Sequence, residues 1–309
     1  MLITRFSYRG KGVFGGIDGP TFVQSEDPLS PERLELRFKL FEFTCLPSVL
    51  GQTQQNFLWI VLVDPQLPQR YYERLSSLVS GRDRTFIHPF DRRFSLAELE
   101  WLGSHIPSEG RVITTNLDDD DCIPRQFVQA MQQHVESLEP RSAPPPIGII
   151  GSKSGLEWDL VPAVNAPLGW KAPWHRGNWV LSVGLSLYCR VPEFALCVLG
   201  LRHRWADTYL DFKKPPVNAN AAWFRESVVR AAHTYGIDLA RWDAADLFHD
   251  ISRGVGAVIL TNHHGNDQAT RLLEPKPGRV GISSAEAFPD FAIDWVKARQ
   301  FAEWLQQRH

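Results

Sequence analysis

Apolar runs alternate with amphipathic stretches through the first half of the chain, giving a strand, helix, strand, helix order. Residues 57–63, Phe-Leu-Trp-Ile-Val-Leu-Val, are apolar throughout, as expected of a strand buried on both faces, and they end at Asp64. Residues 2–6 and 84–88 read as further strands. Residues 33–43 place Leu and Phe at the spacing of an amphipathic helix that continues towards Pro47. A second helix follows Pro68 and a third covers 96–105. Residues 111–117 form the next strand, and a helix begins at Pro124, a residue suited to a first helical position. This order predicts an α/β fold with a mainly parallel, doubly wound central sheet flanked by helices.

The pattern changes after Ser142-Ala-Pro-Pro-Pro146, a stiff connector. The chain is expected to be a single domain, 1–309, whose halves 1–141 and 147–309 divide nucleotide and acceptor sides. In the second half, 147–150, 156–161, 182–189 and 255–260 read as strands, and 218–235 and 291–305 as helices. Residues 162–177, rich in Gly and Pro, read as a long functional loop. This half is irregular beside the first.

The strand 111–117 runs into Asp118-Asp119-Asp120-Asp121. Four adjacent anions repel one another, and a hard divalent cation such as Mg²⁺ or Mn²⁺ relieves that repulsion while keeping positions open for phosphate oxygens. A solvated acidic turn is the alternative for such a run standing alone. Here the run lies between a strand and a helix, at the carboxyl edge of the sheet, where α/β proteins hold ligands. Alternation along an extended segment sends Asp118 and Asp120 to one face and Asp119 to the other. Asp118 is then placed against a ribose, Asp120 and Asp121 hold the ion, and Asp119 is a spectator.

Further candidates come from strand ends. Arg5 closes the first strand and is suited to phosphate, and Asp64 closes the next and is suited to a base or ribose edge. Arg111, at the opposite strand end, is a poorer candidate. Residues 261–266, Thr-Asn-His-His-Gly-Asn, follow a short apolar strand, and His263, His264 and Asn266 form a second constellation in which His264 is the candidate metal ligand. A polar surface loop is the other reading of these residues. An inverting displacement needs a carboxylate base for the acceptor hydroxyl. Asp207 is that candidate, although Asp at a helix start also serves as a cap. Glu157, Asp159 and Asp250 are alternatives.

Composition narrows the classes. The chain has 309 residues, a net charge of −2 and no long Lys/Arg tract, which argues against a nucleic-acid partner. Cys45, Cys122, Cys189 and Cys197 have no C-x-x-C spacing and read as buried thiols of a reducing compartment. No apolar run approaches the ~18 residues of a membrane span, so the expected location is cytoplasmic, with at most peripheral contact at the inner face of a membrane. Eleven tryptophans, most after residue 158, pack a core or stack on sugar rings. G-x-x-x-x-G-K-[ST] does not occur, so a P-loop is not supported.

Several segments together resemble the rhamnosyltransferase family, a branch of bacterial glycosyltransferases. They are Thr-Arg-Phe-Ser at 4–7, Leu-Phe-Glu-Phe-Thr-Cys-Leu-Pro-Ser-Val-Leu-Gly-Gln-Thr at 40–53, Asn-Phe-Leu-Trp-Ile-Val-Leu-Val-Asp at 56–64, Thr-Thr-Asn-Leu-Asp-Asp-Asp-Asp at 114–121 and His-Gly-Asn at 264–266. The family pattern at the acidic turn is Arg-Leu-Asp-Asn-Asp-Asp. This chain departs from it at Asn116 and Asp119. The resemblance implies a GT-A-like fold, a nucleotide-diphosphate-sugar donor, Mg²⁺ or Mn²⁺ on the D-x-D turn, and transfer to a glycan or lipid-linked acceptor. Prenyl-diphosphate chemistry needs its aspartates on a helix, and the strand before Asp118 argues against it. A carbohydrate-binding protein stabilised by a divalent metal is the non-enzymatic alternative.

Overall fold

The computed structural model describes residues 1–7, 27–90, 96–106, 108–138, 147–175, 183–190, 244–251, 258–263 and 278–307, with single positions between them. The first half alternates as expected. Strand β1 (Leu2–Phe6) is followed by helices α1 (Pro31–Phe43) and α2 (Cys45–Leu50), then by β2 (Trp59–Val63), α3 (Gln69–Val79), β3 (Thr85–Pro89), α4 (Leu96–Gly103), β4 (Arg111–Asp118) and α5 (Phe127–Glu136). The second half adds β5 (Ile147–Gly151), β6 (Ser154–Asp159), β7 (Trp170–His175), β8 (Ser186–Arg190), α6 (Ala244–Leu247), β9 (Phe248–Asp250), β10 (Val258–Asn262), β11 (Val280–Gly281) and α7 (Trp295–Gln306).

The larger sheet has seven strands in the order β3-β2-β1-β4-β8-β5-β9, and the smaller has four in the order β10-β6-β7-β11. Strands β1 to β4 pair in parallel, β8 runs antiparallel between β4 and β5, and β9 is parallel to β5. The mixed α/β class with a mostly parallel central sheet is therefore as expected.

Helix α1 connects two cores. Ser30 caps it by accepting from the Arg33 amide at 3.4 Å, and Pro31 occupies its first turn, where no amide is needed. Leu34, Phe38 and Phe41 pack on the large sheet with Phe6 and Trp59, whereas Leu40 and Phe43 pack with Trp158 and Phe301 over the small one. Burying each such aromatic contributes roughly 1.5–3 kcal/mol. Helix α1 is thus fixed at the seam between the sheets. Arg74 of α3 reaches Glu35 and Glu42 on its outer face, and Lys297 of α7 reaches Glu42 as well.

Three expectations are corrected. The segment 162–177 is not all loop, because Trp170–His175 pairs antiparallel along the whole of β6. Pro124 is not the first residue of α5, which begins three positions later. The buried Gln52 side chain holds this entry, donating to the carbonyls of Ser48 and Pro124 at 2.8 and 2.9 Å and accepting from the Val128 amide at 3.0 Å. Helix 33–43 does not run unbroken past Thr44, whose hydroxyl donates to the Leu40 carbonyl at 2.6 Å as α1 ends and α2 begins. The helix expected at 218–235 lies outside the described residues apart from two positions.

Candidate functional site

Arg5 and Asp118 are paired across β1 and β4, so the parallel register itself sets the guanidinium beside the carboxylate. Arg5 donates to Asp118 Oδ1 through Nε at 3.2 Å and Nη2 at 2.6 Å. The two side chains keep 38% and 24% of their surface exposed. They form the open side of the cluster.

Strand β4 ends at Asp118 and the chain turns, with the Asp121 amide donating back to the Asp118 carbonyl at 3.2 Å. Strict alternation is lost at this turn. Asp119 and Asp120 consequently meet the same partner, Arg37 of α1. Its Nε donates to Asp119 Oδ2 at 3.0 Å, its Nη2 contacts Asp119 Oδ1, and its Nη1 donates to Asp120 Oδ2 at 2.9 Å. Asp119, expected to be a spectator, is fully buried and also accepts from the Ser7 amide at 3.3 Å.

The turn is fastened on its other side by β10. Cys122 and Ile259 exchange backbone hydrogen bonds at 3.1 and 3.0 Å. This bridge aims the Thr261 amide at Asp121 Oδ1 (2.9 Å) and the Thr261 hydroxyl at the Asp120 carbonyl (2.6 Å). His263 follows, with Nε2 at 2.9 Å from Asp120 Oδ2. Residues 120 and 263 are thus brought together across 143 positions of sequence.

Electrostatics separate the carboxylates. Burial alone pushes the Asp120 carboxyl up, but the Arg37 charge and the His263 hydrogen bond outweigh it and hold the group below the usual carboxylate range. Burial raises Asp121 well above that range, and the neighbouring charges of Asp120 and Asp118 add to the rise. Burial lowers His263, so its imidazole is neutral. An ionised Asp120 only accepts, so the Nε2 facing it carries the hydrogen and has no lone pair left for a metal.

The donor types, carboxylate oxygens and imidazole, suit a divalent ion in kind, but their aim does not. Asp119 and Asp120 point at a guanidinium, Asp121 at a backbone amide, and His263 presents a donor. Among the described residues no three His, Cys, Asp or Glu side chains are grouped so as to hold a metal ion. As arranged, these residues do not fit Mg²⁺ or Mn²⁺.

Other candidates fall elsewhere. Asp64 stands just past β2 and accepts from the Gln66 amide at 2.9 Å, the bond of a tight turn. Asp159 is buried on β6 and accepts from the Asn262 side chain at 2.9 Å. Glu157 is buried on the same strand, and Asp250, exposed at the end of β9, faces the Lys153 amide at 3.5 Å. Asp207, His264 and Asn266 lie outside the described residues, as does Cys197. The other three cysteines are buried. A cavity of about 400 Å³ opens at the opposite sheet edge among Leu2, Phe57, Arg84, His105, Arg111 and Met131, away from the acidic turn. Among the described residues no helix is long and apolar enough to cross a membrane.

Arg37 is the residue of this cluster that sequence reasoning missed. A signal for it exists, since Arg37 lies three positions after Leu34 and four before Phe41, inside the apolar stripe of α1, where a charge requires a buried partner.

No curated protein matches the chain. Among solved structures, the nucleoside-diphosphate-sugar pyrophosphorylase from Vibrio cholerae RC9 is similar at 14% identity over 88% of this chain and 99% of that chain, with a TM-score of 0.30. The inositol-1-phosphate CTP transferase from T. maritima is similar at 12% identity over 63% and 72%, with a TM-score of 0.28. Mouse xyloside xylosyltransferase 1 is similar at 10% identity over 81% and 83%, with a TM-score of 0.32. Similarity at these scores carries no inference about the site. Residues 1–150, which contain Arg5, Arg37 and all four aspartates of the turn, match the family described as "Putative rhamnosyl transferase".

Proposed function

We propose that the chain transfers a sugar from a nucleotide-diphosphate donor to a saccharide acceptor, with the donor seated at the carboxyl edge of the large sheet. The observation that carries this reading is the half-exposed Arg5–Asp118 pair standing on a buried, pre-folded acidic turn. Strand ends supply the polar groups, and the apolar sheet behind them keeps those groups in place. The Arg5 guanidinium offers a planar fork to phosphate, and Asp118 offers an acceptor to a ribose hydroxyl. The family of residues 1–150 supports sugar transfer as the reaction class. Rhamnose as the sugar, and a glycan or lipid-linked saccharide as the acceptor, are part of the proposal.

The base that accepts the acceptor's proton is proposed as Asp207, from its place in the sequence. Turnover retained by Asp207→Asn would remove it from the mechanism.

Calorimetric titration with UDP, GDP and dTDP, each with Mn²⁺ and with chelator, tests the donor site. Binding of one nucleotide under either condition is expected, and Arg5→Ala should weaken it about tenfold or more, the scale of a charge-assisted hydrogen bond. Failure of all three nucleotides to bind, alongside glycan binding, favours the carbohydrate-binding alternative.

A further inference from the structure

Asp119 and Asp120 are the two most enclosed charges of the turn that have a charged partner, and one guanidinium reaches both. Its Nε and Nη2 meet the two oxygens of Asp119 while Nη1 meets Asp120 Oδ2, a fork matched to two adjacent carboxylates. Asp120 Oδ2 also faces His263 Nε2, so both of its lone-pair directions are taken by donors. A divalent ion at that oxygen would have to displace Arg37 and then sit beside its full charge. Arg37 cannot swing away easily, because α1 is anchored by Phe38 and Phe41 on the large sheet and by Leu40 and Phe43 over the small one. Its side chain retains only 15% of its surface.

We propose that Arg37 is the resident cation of this turn, occupying the place between Asp119 and Asp120 that a divalent ion would need, so that the turn folds without one. A metal is then not part of the free protein, and the carboxylates become a metal site only when the guanidinium is removed.

The test is Mn²⁺ titration by calorimetry and thermal melting of the wild-type chain, without nucleotide. The wild type is expected to show no Mn²⁺ binding up to about 1 mM, the weak end of carboxylate ion sites, and the same Tm in chelator and in Mn²⁺. Arg37→Gln is expected to melt lower, to gain Mn²⁺ affinity by about tenfold or more, and to recover Tm as Mn²⁺ is added. Arg37→Lys keeps the charge and should gain none. Wild-type binding at micromolar Mn²⁺ overturns the proposal, as does a folded Arg37→Gln variant that gains no affinity. Should Arg37→Gln fail to fold, the wild-type titration decides alone. Although the proposal rests on the donor-site reading of this turn, the metal titration needs no nucleotide, so either can fail while the other stands.

Discussion

Asp120→Ala is expected to lower folding stability by about 3 kcal/mol, the lower end of the cost of breaking a buried ion pair. The carboxylate accepts from Arg37 and His263 through one oxygen, and both donors are enclosed. Removing it leaves Nη1 of Arg37 and Nε2 of His263 without their acceptor in a site that water does not replace. Arg37 keeps Asp119, which is why the low end applies. Asp120→Asn retains an acceptor oxygen and is expected to lose less. Urea denaturation of the two variants measures both values. A solvated carboxylate kept for a metal behaves differently, since its removal relieves repulsion among neighbours. Asp120→Ala within about 0.5 kcal/mol of wild type, the range of ordinary surface substitutions, would sink the account of a charge-paired turn.

The second large effect is expected at Trp158 of β6. Its side chain is fully buried, packs on Phe43, Phe288 and Trp295 at centroid distances of 5.7, 5.2 and 5.6 Å, and donates Nε1 to the Leu168 carbonyl at 2.8 Å. Trp158→Ala is expected to cost about 3–5 kcal/mol, from lost transfer energy and the cavity left behind. Trp158→Phe fills most of that volume but leaves Leu168 without its donor, at about 1–3 kcal/mol. Function should follow stability here. Among the described residues β10 pairs within the small sheet with β6 alone, and Trp158 lies in β6 opposite Thr261, the residue that bonds Asp120 and Asp121. Loosening β6 therefore loosens the acidic turn. Denaturant titration gives the energies, and nucleotide titration of Trp158→Ala below its melting range should show weakened binding. Unchanged binding would mean that β10 is held in place by its Cys122 bridge without help from β6.

How much of this was readable in the sequence depends on how local each cause is. Strand β2 could be read because Trp-Ile-Val-Leu-Val has one environment on both faces. Strand β4 could be read because its apolar and Thr positions end abruptly in charge. Strand β7 could not, because Trp-Lys-Ala-Pro-Trp-His has the Pro and polar content of a loop and becomes a strand through its pairing with β6 and β11. The aspartates drew attention as a run, but which cation they meet depends on helix α1, eighty residues earlier in the chain. Arg33, Arg37 and Lys39 look alike in the sequence. Only the middle one's place in the apolar stripe of α1, between Leu34 and Phe41, sets it apart there. His263 faces Asp120 because it directly follows the end of β10, where Asn262 pairs with Asp159.

The antiparallel strand β8, set between β4 and β5, has a consequence for the growing chain. A ribosome that has released residues 1–150 has completed β1 to β4, yet the outer edge of β4 awaits Ser186–Arg190, and the acidic turn awaits Thr261. Until those arrive, a row of backbone amides and carbonyls along β4 lacks its β8 partners, a template for wrong pairing. Contacts of such long separation make folding slow. The first four strands are thus the part of the sheet that must wait for the rest.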